Sequence, residues 1–284
     1  MLAKNTTTWG VVLGMLLAAR AHAQPSPDSE TKPPDATAGA DGTTDALTLQ
    51  KGRAVLNVFL EINLSNGAAF KPVSLSPDIW YGVTDEITAG LVHSSVGTTG
   101  FIGGAGDSLC LTGSSGLCGD FYRNVGFDGR YKLKSGPISI AADGGLFFGQ
   151  IESPILLDLK LGAVGRWHQG PLAIEAAPSL FLGLTNRSQT ANGIDITTNP
   201  DVLYLPGTAL YTLNPMITLA AQIGVVLPLE NTGDNYTLPL SVGAFYHVNE
   251  QLNVTAALSL PRLIASSGGG IDARSLTLGG SYAF

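Results

Sequence analysis

From Gly52 onward, apolar and polar residues alternate with a period of two, in segments separated by turn residues. The first segment sets Ala54, Leu56, Val58, Leu60 and Ile62 against Asn57, Glu61 and Asn63. In the second, Val73, Leu75, Ile79 and Tyr81 oppose Ser74, Ser76 and Asp78. Later segments repeat the rule: Phe127 and Tyr131 against Asp128, Arg130 and Lys132; Leu157, Leu159 and Leu161 against Asp158 and Lys160; Leu252, Val254 and Ala256 against Asn253 and Thr255. Neighbouring side chains on a strand point to opposite faces, so each segment reads as a strand with one apolar face. About twelve strands are predicted. After the first hairpin the connections alternate between short and long. The short ones are Thr84-Asp85, Ser135-Gly136, Gln169-Gly170, Asn214-Pro215 and Asn249-Glu250. The long ones include about 94–120, 185–200, 230–235 and 266–273.

The residues before this pattern read differently. Lys4 precedes an apolar run from Trp9 to Ala19, too short to span a bilayer as a helix. Ala21-His22-Ala23 follows as a small-x-small cleavage site, so residues 1–23 are expected to be a signal peptide. Residues 24–50 are rich in Pro, Asp, Thr and Ala and lack periodicity, and are expected to form a disordered periplasmic leader. Residues 51–284 form the strand-bearing domain. No later run approaches the ~20 apolar residues of a membrane helix.

The chain ends on a strand with Leu276, Leu278, Gly280, Tyr282 and Phe284 on one face. An unprotected apolar edge strand recruits other chains, and closure into a barrel removes the edge. Thr277, Gly279, Tyr282 and Phe284 fit the pattern polar-x-Gly-x-x-aromatic-x-aromatic. That pattern resembles the C-terminal assembly signal of Gram-negative outer-membrane β-barrel proteins. The resemblance implies an all-β, transmembrane antiparallel barrel with short periplasmic turns and longer extracellular loops. It also implies outer-membrane lipid and the barrel-assembly machinery as partners, and a bacterial outer-membrane location. Tyr81, Tyr131, Trp167, Tyr211, Tyr246 and Tyr282 each fall on an apolar face near a short turn or the C-terminus. Six rings at one level are the expected membrane girdle.

Composition agrees with this reading. Charged residues are 13% of the chain, hydrophobic residues 44%, and there are 36 glycines. Loss of Lys4 and Arg20 with the signal peptide takes the 15 basic residues to 13 against 22 acidic, a net charge of −9. That excludes the basic footprint of a nucleic-acid-binding protein.

If the apolar face meets lipid, the other face lines a lumen. It carries Glu61, Asp78, Asp128, Arg130, Lys132, Asp143, Asp158, Lys160, Arg166 and Glu175. Both signs on neighbouring strands predict transverse ion pairs. These pairs either neutralise one another in a plugged barrel or form a selectivity lining. The remaining inner positions read as small and polar, which favours a porin-like channel for passive passage of small solutes. Pro178 and Pro206 fall inside adjacent strands, where proline marks a bulge or a weak seam. A seam would suit a transporter of hydrophobic compounds with lateral exit.

His93 and Ser95 match the His-x-Ser spacing of outer-membrane phospholipases, and by parity with Leu91 would lie on the lipid face. No third group is placed to orient the imidazole, so a lipid-face hydrolase is the weakest reading and no enzyme is expected. Cys110 and Cys118 are expected to form a disulfide in an exported chain. No metal site or cofactor is expected.

Overall fold

A computed structural model describes residues 47–93, 108–118, 122–191, 194–230, 235–266 and 268–284. The expected signal peptide and most of the leader, with Ser94 and Ser95, lie outside the described residues. The strands are β1 (Ala54–Asn63), β2 (Val73–Gly82), β3 (Ile87–Val92), β4 (Leu109–Cys110), β5 (Arg123–Lys134), β6 (Ile138–Gln150), β7 (Leu156–Gln169), β8 (Leu172–Ala176), β9 (Ser179–Gly183), β10 (Ser188–Ala191), β11 (Ile194–Thr197), β12 (Val202–Asn214), β13 (Ile217–Pro228), β14 (Thr237–His247), β15 (Leu252–Ala265) and β16 (Ser275–Ala283). Every pairing is antiparallel, and β1 pairs with both β2 and β16, which closes the sheet.

The result is a closed antiparallel barrel of twelve strands, with two of them interrupted. β8 and β9 occupy one position between β7 and β12, split at Ala177–Pro178. β3 and the short β4 both pair with β2, at its two ends. β10 and β11 form a separate hairpin in the β9–β12 connection. The short turns lie at one end of the barrel, with the start of β1 and the end of β16. The longer connections lie at the other end.

Register follows the alternation. Buried residues fall at Asn57 and Glu61 on β1, Ser74, Ser76 and Asp78 on β2, and Ser275, Thr277 and Ser281 on β16. The outward face is apolar and open: Phe127 is 65% exposed and Ile223 58%. A patch that extends round a whole barrel would be untenable in water, and a bilayer supplies the solvent it needs. Among the described residues no helix is long and apolar enough to cross a membrane.

Pro178 and Pro206 lie diagonally across the β8/β9–β12 seam, with Pro206 opposite Ala177. β12 pairs with β8 through Gly207 and resumes with β9 at Tyr204, which leaves Leu205 and Pro206 outside the ladder. The Ala177 N–H bridges this gap to the Pro206 carbonyl (3.3 Å), and on the β7 side the Ala163 N–H donates to the Pro178 carbonyl (3.1 Å). The register stays in step across the gap, so no residue is inserted: the prolines interrupt the ladder without the expected bulge, and the backbone still closes the seam where a lateral opening would need a gap.

Cys110 and Cys118 form a disulfide beside the β2–β4 pairing, at the long-loop end.

Candidate functional site: the barrel lumen

The inner surface divides into two walls. Strands β5–β8 carry the paired charges. Their inward positions hold Asp128, Arg130 and Lys132 on β5, Asp143 on β6, Asp158, Lys160 and Arg166 on β7, and Glu175 on β8. Lys160 Nζ lies 2.7 Å from Asp128 Oδ2 and 2.9 Å from Asp143 Oδ2. Six residues further along β7, Arg166 bonds Glu175 through Nε (3.0 Å) and Nη2 (2.5 Å). The registers show why: Arg166 and Glu175 are directly paired, Lys160 is diagonal to Asp143, and Gly145, paired with both Lys160 and Asp128, lets the lysine reach over β6 to Asp128. These side chains are buried, so each carries a desolvation cost that its partner offsets.

The other predicted residues are placed apart from that cluster. Arg130 stacks on the Trp80 ring, with Cζ 4.7 Å from the ring centre. Lys132 reaches out to the β2–β3 turn, where Nζ donates to the Asp85 carbonyl (2.6 Å). Asp78 Oδ1 accepts from the His93 N–H (2.6 Å). Glu61 is buried on β1, and Asp158 lies near the long-loop end of β7.

Strands β12–β16 form the second wall. Among Asp, Glu, Lys and Arg they hold only Arg262. Their inward polar groups are neutral, and several of them bond to one another. Gln222 Nε2 donates to Thr208 Oγ1 (3.0 Å), and Ser241 Oγ to Ser259 Oγ (2.9 Å). At the short-turn rim, His247 lies 2.7 Å from Asn253 Oδ1 and 3.1 Å from Thr218 Oγ1.

The expectation of a lumen otherwise small and polar is corrected. Phe59, Leu210 and Phe245 point inward and are almost fully buried. Phe147 is also inward, edge-on to Phe181 at 5.7 Å. Parity could have found them, since Phe59 falls between Asn57 and Glu61. Several of these rings lie over glycines on the paired strand. A Cβ at Gly279 would lie 2.3 Å from Phe59 Cδ1, one at Gly90 2.6 Å from Trp80 Cε3, and one at Gly126 2.4 Å from Phe147 Cδ1. Each is a direct cross-strand partner of its ring. The glycines make room for side chains that narrow the barrel from inside.

His93 is also displaced from its expected place. It is 6% exposed, where a lipid-facing residue would be open. Its Nδ1 meets the Pro77 carbonyl, and its Nε2 lies 2.7 Å from the Tyr122 hydroxyl. β3 ends at Val92, so strand parity no longer governs the next residue. The imidazole is engaged on both nitrogens, and the lipid-face pairing with Ser95 has no support from it.

The rings of Tyr81, Tyr131, Trp167, Tyr211 and Tyr246 are outward and exposed, each near the short-turn end of its strand. Tyr282 is half-buried and lies edge-on to Phe284 at 4.8 Å. Among the described residues no group of three or more His, Cys, Asp and Glu side chains is placed to hold a metal ion. At the long-loop end, Arg187 bridges Asp201 (2.7 Å) and Glu230 (2.5 Å). The hydrogen bond from Arg187, aided by the Gly183 N–H, holds the Asp201 carboxyl below its usual range.

No protein-family model and no curated protein sequence matches the chain. Among solved structures, the fold is similar to that of the NanC porin, with TM-score 0.55 and 11% identity over 80% of this chain and 98% of that one. It is likewise similar to the KdgM porin in complex with disordered oligogalacturonate, with TM-score 0.50 and 10% identity over 81% of this chain and 99% of that one. At this identity the likeness is one of fold: the chain has the architecture of outer-membrane β-barrel porins.

Proposed function

We propose that this protein is an outer-membrane channel for passive passage of small polar solutes, and not an enzyme. The observation that carries the reading is the neutral wall. Thr208, Gln222, Ser241, Ser259 and their neighbours present hydroxyls and amides along β12–β16, with a formal charge only at Arg262. These side chains are packed to 4% exposure or less, so the passage beside them is narrow, and a neutral lining of this kind exchanges hydrogen bonds with water or a hydroxylated solute at little net cost where it opens. The opposite wall keeps its charges paired: Lys160 lies between two carboxylates and Arg166 on one. A channel built in this manner selects by size and polarity more than by charge. The inward rings narrow it, so small solutes are its substrates. The porin-like fold supports the same reading. The outward tyrosines and Trp167 then sit at the periplasmic lipid interface, and the Thr277–Phe284 strand is read by the assembly machinery.

Swelling of liposomes that hold the refolded chain tests the proposal. A pentose should enter faster than a hexose, and a disaccharide should be excluded. Failure of every solute to enter, together with no conductance from a folded barrel, would overturn it. That outcome would support a non-conducting barrel plugged by its charge pairs and rings.

A further inference from the structure

The apolar outward face of β12–β16 is broken by a single formal charge, Arg262. Arg262 is exposed and shares the parity of exposed Leu258 and Ile264, whereas Ser259 is buried. The registers Leu240↔Leu260 and Leu238↔Ile264 keep that outward parity on both sides of it. A second arginine stands beside it. The Leu64 N–H donates to the Arg274 carbonyl (2.9 Å), so the ladder runs on past the start of β16. Arg274 therefore keeps the parity of Leu276 and Leu278, opposite to buried Ser275. Ser259 pairs with Ser275, so one step further Arg274 meets Leu260, and Arg262 is its diagonal neighbour, roughly 7 Å away. Arg274 Nε donates to the Leu64 carbonyl (3.0 Å), which fixes the guanidinium at the rim. Exposed Lys71 lies on the adjoining β1–β2 connection. The acid in this region, Asp272, accepts from Asn66 Nδ2 (3.1 Å).

Depth gives the pair its meaning. Arg274 is eight residues from Tyr282, about 26 Å along the strand, or about 20 Å along the barrel axis at the ~40° strand tilt of such barrels. The apolar band of a membrane barrel is ~25 Å tall. Both arginines thus stand just inside its outer edge, with Leu258, Leu276 and Leu278 below them on the same face. Cations above an apolar surface match an amphiphile with an anionic head, and forked guanidinium donors match phosphate oxygens two at a time.

We propose that Arg262 and Arg274 bind a phosphate-bearing anionic lipid of the outer leaflet, with its phosphate on the guanidiniums and its acyl chains along the leucines. The inference rests on the outer-membrane reading. A lipid is the occupant, and not a free anion, because the lipid-facing surface continues without a break beneath the charges.

The refolded chain is first floated with phosphatidylcholine vesicles, and bound lipid is then counted by native mass spectrometry. Lipid A, which carries two phosphates, should bind about ten-fold tighter than zwitterionic phosphatidylethanolamine. Arg262→Gln/Arg274→Gln should abolish that preference, and excess inorganic phosphate should not displace the lipid. Lys134→Gln, at the short-turn end of β5, should keep the preference. If the double variant fails to fold, Arg262→Gln alone leaves the Arg274–Leu64 bond intact and should lose part of the preference. No preference in the parent, or a preference untouched in the arginine variants, would overturn the site. An equal loss in Lys134→Gln would reduce it to net charge and overturn it as well. Displacement by inorganic phosphate would overturn the lipid as occupant. A chain that does not float with vesicles would overturn the outer-membrane reading, and the site with it.

Discussion

The two walls of the lumen solve the same problem by different chemistry. Both must keep polar groups inside a closed sheet. On β5–β8, full charges are buried against one or two opposite charges, so each group depends on few partners. On β12–β16, neutral hydroxyls and amides share weaker bonds, so no single group carries much. The charged wall should therefore be brittle to single changes and the neutral wall tolerant of them, although both line one space.

The largest effect is expected at Lys160. Its replacement in Lys160→Met removes the one cation bonded to both Asp128 and Asp143 and leaves only the more distant Arg130 near them. Removal of one partner from a buried ionic group costs about 3–5 kcal/mol. Urea unfolding of the chain in vesicles should show that loss. A loss under 1 kcal/mol would mean the cluster is hydrated and the contrast between walls false. On the neutral wall, Gln222→Met removes the bond to Thr208 (3.0 Å) and should cost only about 1 kcal/mol.

Between these extremes stands the closure seam. Gly279→Ala drives a methyl into the Phe59 ring, and overpacking of this kind costs about 1–3 kcal/mol. The penalty should vanish when Phe59→Ala is already present, which a double-mutant cycle reads directly. A penalty unchanged by Phe59→Ala would place the requirement for Gly279 elsewhere, for example in recognition of the terminal strand during assembly.

The strands, their faces and the short–long alternation of connections were legible because one period-two rule governs them. The charge pairs were legible too, since Asp128, Asp143, Lys160, Arg166 and Glu175 all share inward parity on adjacent strands. The inward rings obeyed the same parity, but an aromatic between polar neighbours reads as noise until its glycine partner on the next strand is known. Phe59 and Gly279 are 220 positions apart, and only the closure of the barrel pairs them. His93 escaped because its strand ends one residue earlier. The packing of Leu47 on Ala141 and Val164 escaped because Leu47 follows a Pro- and Asp-rich stretch whose composition dominates the local signal.

The smallest effect belongs to the long-loop end, where charges are exposed. Asp201 accepts from Arg187 (2.7 Å) and from the Gly183 N–H (3.0 Å). Its folded carboxyl titrates below the ordinary value of 3.8. Its contribution is therefore complete above that value and is lost as the pH falls through the lower folded one. Solvent and salt screen this pair, so global stability should change little. The Gly183 amide resonance should nevertheless follow the carboxyl, with a midpoint below 3.8, and should lose that titration in Asp201→Asn. A midpoint at or above 3.8 would show that Arg187 does not hold the carboxylate in solution. The exposed bridge would then be slack, which would sharpen its contrast with the buried Arg166–Glu175 pair on the wall below.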